Sequence, residues 1–273
     1  MAEALFSVER LCLSLPDMTK KSLLGVAPRI EILKRVSFTI EEGAITGIVG
    51  ESGSGKTSLG RTLVRLLKPD SGRIVFAGSD ISALSDENMQ PLRRDLQIIF
   101  QDPFSSLNPR KTVGGIVSGP LLLHKVANGR DIHSLVAGAL GQVGLSESFA
   151  SRYPHELSGG QRQRVGIARA VALRPRFILA DEIVSGLDVS NQAQILDLLM
   201  SLKREMRFTM AFISHDLSVV RRLCDRVIVM RHGEIVENAD TATLFDKPQH
   251  PYTRLLRDCI PLPEVSTGWL RET

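Results

Sequence analysis

Cysteine is scarce in this chain: its 273 residues hold 3, Cys12, Cys224 and Cys259, odd in number, far apart and without a C-x-x-C pair. That usage suits a reducing compartment and argues against a zinc or iron–sulfur site. Long apolar runs are missing too. No stretch approaches the roughly eighteen uninterrupted apolar residues needed to span a bilayer. The opening MAEALFSVER also lacks the basic region and apolar core of a signal peptide. The sequence therefore predicts a chain that is neither secreted nor integral to a membrane. Lysine and arginine form no runs and the formal charge is only +4. A nucleic-acid surface has no positive support, and no nucleic-acid partner is expected. Internal repeats and low-complexity segments are absent as well.

With 43% hydrophobic residues, the chain can bury a full core, in one large domain or two small ones. The most informative string is GESGSGKT at 50–57. It fits the P-loop spacing G-x-x-x-x-G-K-[ST], and the apolar, β-branched run at 44–49 supplies the strand that should precede it. Gly50, Gly53 and Gly55 let the backbone curl into a nest of N–H groups at a helix start, where phosphate oxygens are attracted. Lys56 offers a point charge for the β- and γ-phosphates, and the Thr57 hydroxyl suits Mg²⁺.

Strand and helix signals alternate around this loop. Short β-rich runs at 36–40 and 73–77 flank the P-loop strand and its predicted helix, 56–67, giving a mixed β region that leads into a nucleotide core. Strand signals fade from about 108 to 172, where 116–123, 132–143 and 161–173 read as helices of an inserted subdomain. Strands return at 177–180, 209–214 and 227–231, separated by helical runs at 191–205 and 217–223. Such alternation predicts an α/β fold with a parallel sheet flanked by helices. The last forty residues or so read as an appendix to that core.

Asp181 and Glu182 directly follow a buried-strand pattern, which is the ligand edge of an open α/β sheet. Asp181 can join a Mg²⁺ shell, and Glu182 can orient or deprotonate a water attacking the γ-phosphate. Carboxylates there also serve as plain helix caps. His215 and Gln101 each end another apolar run, and both can donate towards the γ-phosphate region if strand order brings their ends together. LSGGQ at 157–161 is a second candidate phosphate-binding helix start. Ser158 is a plausible N-cap, and Gly159 and Gly160 permit close backbone approach. A capped helix beginning in a glycine turn is its ordinary structural reading. One nucleotide in one compact subunit rarely needs two such starts, so the doubling suggests a site completed by a second subunit.

In order, GESGSGKT, Gln101 within IIFQDPFSSLNPR, LSGGQ, FILADE, SGLD at 185–188 and His215 resemble the nucleotide-binding subunits of ABC transporters. The resemblance implies a P-loop NTPase (RecA-like) core with an N-terminal antiparallel β region and an inserted α-helical subdomain at about 108–172. The ATPase domain would occupy 1–245, with a C-terminal extension at 246–273. ATP and Mg²⁺ would be the cofactors. Nucleotide contacts would come from Gly50, Glu51, Ser52, Gly53, Ser54, Gly55, Lys56, Thr57 and Ser58, and the metal would be held by Thr57, Gln101 and Asp181. Catalytic roles fall to Glu182, to His215 as a γ-phosphate sensor, and to Gln101, which would also link the site to membrane subunits. In that family the subunits pair head to tail, so Ser158, Gly159, Gly160 and Gln161 would reach the partner's nucleotide and Asp188 would lie at the dimer seam.

Two longer strings, LNPRKTVGGIVSGPLLLH at 107–124 and KPQHPYTRLLRDCIPLP at 247–263, resemble the ATPases of oligopeptide, dipeptide and nickel importers. They imply a peripheral position on the cytoplasmic face of the inner membrane. The partners would be a second ATPase subunit, identical or homologous, two permease subunits and, indirectly, an extracytoplasmic solute-binding protein. Read without the family, HPYT is a turn before a short amphipathic helix at 253–259, with no evident chemistry.

Departures from the family pattern are few. Ile183 replaces the proline after the catalytic glutamate, and Gly186 replaces the alanine before Leu187. No aromatic residue at 20–31 is available to stack on adenine, which leaves Ile30 or another aliphatic side chain. The cysteine cluster of some peptide-importer relatives is absent after HPYT. Two other classes share these motifs: a soluble ABC ATPase clamping nucleic acid, normally with a coiled-coil insertion or tandem cassettes that this chain lacks, and a component of a phosphonate-degrading assembly.

Overall fold

The computed structural model describes residues 3–17, 27–126 and 131–259. Its strands in chain order are β1 (Ala4–Pro16), β2 (Arg29–Glu41), β3 (Ile45–Val49), β4 (Ser71–Phe76), β5 (Ser79–Asp80), β6 (Leu96–Ile99), β7 (Phe177–Asp181), β8 (Thr209–Ile213), β9 (Arg226–Arg231) and β10 (Glu234–Asp240). The helices are α1 (Lys56–Leu63), α2 (Asp86–Met89), α3 (Pro103–Ser106), α4 (Val113–Leu123), α5 (Ile132–Gln142), α6 (Gly159–Val171), α7 (Val189–Met206), α8 (Leu217–Leu223), α9 (Thr241–Asp246) and α10 (Pro251–Asp258).

β3, β7 and β8 are buried at every position. Strands covered on both faces read as continuous apolar runs, which is why 44–49, 177–180 and 209–214 are conspicuous in the sequence. They sit inside a six-stranded sheet of order β10-β9-β3-β8-β7-β6. All its neighbours pair in parallel except β10, which runs antiparallel to β9. A second, antiparallel sheet of order β2-β1-β4-β5 is the N-terminal β region.

Alternate residues of the central strands feed two cores. Ile48, Leu179 and Ala211 face the antiparallel sheet and α1, while Val49, Ile178 and Phe212 face helices α4 to α8. The Phe6 ring locks the two sheets together, 4.9 Å from Phe76 and 4.7 Å from Phe177, the latter edge-on. Tilted and edge-on contacts of this kind avoid the face-to-face overlap that the aromatic quadrupole disfavours. Between β6 and β7 the chain is helical, as expected, and Thr112 starts α4 by accepting from Gly115 N–H at 3.2 Å. Among the described residues, no helix is long and apolar enough to cross a membrane.

Two expectations are corrected. The helix after the P-loop ends at Leu63 rather than 67, because Arg65 turns to a positive φ of 56°. Its guanidinium is drawn instead to the carbonyls of Ile81 and Leu84, at 2.7 and 2.9 Å. The segment after residue 233 is no appendix: β10 is a strand of the main sheet, and Leu244, Phe245 and Tyr252 are buried in the helical core.

Candidate functional site

Four strand ends build the site. β3 delivers the glycine loop, its neighbour β8 delivers His215, the next strand β7 delivers Asp181 and Glu182, and the outer strand β6 delivers Gln101. Sequence placed each of these residues after an apolar run; only the order of the strands makes them neighbours.

The loop is shaped by backbone that side chains could not follow. A Cβ on Gly50 would lie 2.2 Å from the Met230 carbonyl oxygen, and Gly55 holds φ at 102° as it opens α1. Lys56 is buried, and its ammonium donates to the Gly50 and Glu51 carbonyls, both at 2.8 Å. Burial lowers its pKa, against the opposing pull of Glu182, Asp181 and Glu51. A groove of about 330 Å³ opens here, lined by Ser52, Gly53, Gly55, Lys56, Thr57 and Ser58 of the loop and helix start together with Ile32, Gln101 and Glu182. Ile30 stands two residues along β2 from Ile32 and is 47% exposed.

Asp181 is fully buried, and its Oδ1 accepts from the Thr57 hydroxyl at 3.1 Å. The other oxygen, Oδ2, is buried without a hydrogen-bond partner, with the Arg61 guanidinium 3.7 Å away. Burial raises the carboxyl pKa; the Thr57 bond and the Arg61 charge oppose it. A hydroxyl and a carboxylate with a spare buried oxygen are the hard donors a magnesium ion takes, so the residues present fit that metal. Arg61 was not singled out in the sequence, and its place one helical turn after Thr57 was the available signal.

Glu182 has a positive φ of 48°, uncommon outside glycine and frequent at active sites. Its N–H donates to Ile213 O at 3.0 Å, and Gln101 Nε2 donates to its Oε2 at 2.9 Å. His215 Nδ1 stands 3.8 Å from the same oxygen. The three side chains named for catalysis therefore converge. Ile183, in the place of proline, is buried, and Gly186 takes a φ of 76° that the usual alanine would adopt at a cost.

LSGGQ lies elsewhere. Ser158 and Gln161 form a reciprocal capping box at the start of α6, with Gln161 N–H donating to Ser158 Oγ at 3.3 Å and Ser158 N–H to Gln161 Oε1 at 3.0 Å. None of Ser158, Gly159, Gly160 and Gln161 lines the P-loop groove. Asp188 caps α7 through Asn191 N–H at 2.9 Å, and the Asn191 side chain faces Gly160, so the SGLD and LSGGQ strings abut through one asparagine.

Sequence reasoning missed Tyr252. It read HPYT as a turn, yet the Glu51 N–H donates to the Tyr252 hydroxyl at 2.9 Å. No sequence spacing could have paired residues so far apart; the signal was a large aromatic side chain at the start of a short amphipathic helix.

A glycine loop at a helix start, with a lysine opening that helix and two carboxylates at the end of the strand two places along the sheet, defines the molecule as a P-loop ATPase. Residues 33–185 match the family model described as "ABC transporter", and 236–273 match "Oligopeptide/dipeptide transporter, C-terminal region". The chain belongs to the ABC transporter family, as an ATP-hydrolysing subunit that works with ATP and magnesium. It is 50% identical to the oligopeptide transport ATP-binding protein AppF of Bacillus subtilis, over 89% of this chain and 74% of that protein. A glutathione import ATP-binding protein, GsiA of Pectobacterium atrosepticum, is 46% identical over 97% of this chain, which spans 42% of that longer relative. Among solved structures, the dimeric post-hydrolysis state of the ATP-binding cassette MJ0796 with ADP and Pi superposes with a TM-score of 0.76 at 30% identity, covering 86% of this chain and 98% of that one.

Proposed function

We propose that the chain is one of two ATPase subunits of an importer for peptides or a related small solute, peripheral on the cytoplasmic face of the membrane. The observation that carries the two-subunit site is the separation just described: one phosphate-binding helix start lies in the groove with Lys56 and the other, at Ser158, does not. The name of AppF and the match over 236–273 support peptide import. We further propose 1–245 as the ATPase domain, with its helical subdomain at about 108–172, and 246–273 as an extension.

In this reading the P-loop N–H groups and Lys56 hold the β- and γ-phosphates, and Ile30 with Ile32 offers an aliphatic surface to the base. Magnesium, held by Thr57 and Asp181 with Gln101, would supply charge neutralisation on the phosphate oxygens. Glu182 takes the proton from the attacking water, with its Oε2 steered by Gln101 and His215. Ser158, Gly159, Gly160 and Gln161 of one subunit reach the γ-phosphate in the other, and Asp188 lies at the seam. Hydrolysis removes the group that both subunits grip, and the pair reopens.

A partly apolar groove runs between β6 and α4, lined among others by Leu66, Ile98, Pro120 and Leu123. Leu66 and Leu123 are 47% and 63% exposed. We assign it to a permease segment, because it adjoins the strand that carries Gln101 and so would transmit the state of the site. Affinity purification of the chain from detergent-solubilised membranes, followed by mass spectrometry, tests the assignment. Recovery of two permeases and a homologous or identical ATPase is expected; recovery of soluble enzymes without permeases would overturn it.

A further inference from the structure

The peptide group between Gly50 and Glu51 is held from both ends. Its carbonyl accepts from the Lys56 ammonium at 2.8 Å, and its N–H donates to the Tyr252 hydroxyl at 2.9 Å. One rigid plane thus joins the P-loop lysine to the Tyr252 side chain, 201 residues beyond Glu51. Gly50, with a φ of 148°, has the backbone freedom to let that plane turn if either grip is lost.

Tyr252 is itself firmly placed. It is 3% exposed, the Arg231 guanidinium lies 4.8 Å from its ring centre, and its N–H donates to His250 Nδ1 at 3.1 Å. The segment before it is tied to β10, where the Glu237 carboxylate accepts from Gln249 N–H at 2.9 Å and His250 N–H at 3.0 Å. The turn joining β9 to β10 touches the loop at a second point, with Gly233 N–H donating to Ser54 O at 3.1 Å. Burial raises the phenol pKa, so the hydroxyl stays neutral.

We infer that Tyr252 is a positioning residue for ATP: its hydroxyl fixes the 50–51 peptide plane and so makes nucleotide affinity depend on the docked HPYT segment. This rests on the P-loop reading above. A loop pre-set by these contacts spends less of its binding energy on ordering when phosphate arrives. The contact lies on the loop backbone and does not touch the reacting atoms. Its loss should therefore appear in affinity and not in the chemical step.

The test is Tyr252→Phe in the full chain, which keeps the buried ring and removes the hydroxyl that accepts from the Glu51 N–H. Titration with a fluorescent ATP analogue and magnesium should show the Kd raised about fivefold, the scale of one net hydrogen bond. With the permease partners present, KM for ATP should rise by a similar factor while kcat is unchanged. Amide exchange over the P-loop should quicken in the same variant. Unchanged Kd and unchanged exchange would overturn the inference, even if the melting point falls, since that would show a structural role only. Should Tyr252→Phe fail to fold, Glu237→Gln loosens the same segment from outside the site. It should weaken ATP in the same direction, and wild-type affinity there would count equally against the proposal. Lys56→Ala separates the two readings. If it loses ATP while Tyr252→Phe binds normally, only this inference fails. If Lys56→Ala binds as the wild type does, the P-loop reading itself fails.

Discussion

Gln101 Nε2 donates to Glu182 Oε2 across 2.9 Å, joining the ends of two adjacent parallel strands. His215 Nδ1 approaches the same oxygen at 3.8 Å from the next strand over. One carboxylate is thus addressed from both neighbouring strands, and its backbone is turned into a left-handed conformation to receive them. A group aimed so specifically is placed to handle a water at the mouth of the P-loop groove.

Glu182→Gln keeps the shape and a bond to Gln101 but removes the carboxylate proposed as the base. ATP affinity should be retained, and turnover should fall at least about a hundredfold, the scale of general-base assistance. Steady-state hydrolysis beside a nucleotide titration measures both, and near-normal turnover would remove Glu182 from the mechanism.

Asp181 yields a pH prediction. Its folded pKa is raised by burial, so the native state binds this proton more readily than the unfolded chain does. The buried charge therefore costs stability at neutral pH, and the cost shrinks as acidification protonates the group. In nucleotide-free protein at pH 7, Asp181→Asn should melt higher, by roughly 2–4 °C for each kcal/mol recovered. The gap should narrow as pH falls through the carboxylate range, while magnesium-dependent stabilisation by ATP is lost. A variant that melts lower at pH 7 would contradict this account of the site.

Ser158→Arg probes the second subunit. Ser158 lies outside its own chain's groove, so the isolated monomer should bind ATP normally, with hydrolysis abolished in the assembled dimer. Removing the cap costs α6 about 1 kcal/mol, which circular dichroism can follow separately. Loss of ATP binding by the monomer would place Ser158 in its own subunit's pocket.

The parts of the fold that sequence reveals well are those where burial is symmetrical. β3, β7 and β8 are covered on both faces and so announce themselves as apolar runs, whereas the mixed burial of β10 hides it. Asp181 and Glu182 were legible because strand ends in an open α/β sheet are where ligands bind. The positive φ of Glu182, the orphan oxygen of Asp181 and the Arg61 contact were not, since each depends on what a neighbouring element puts opposite. The α1 boundary failed for the same reason: Arg65 leaves the helix for carbonyls on another segment.

The sequence by itself determined the chemistry on offer: a glycine loop with Lys56 and Thr57, carboxylates at 181 and 182, a second helix start at Ser158. Those are local matters of residue type, spacing and backbone freedom. Tertiary structure alone decided which of these groups meet. Strand order brings Gln101, Glu182 and His215 onto one oxygen, the 50–51 peptide plane ties Lys56 to Tyr252, and LSGGQ stays outside the groove. Contacts between distant segments are set by how sheets and helices pack, and no spacing along the chain records that.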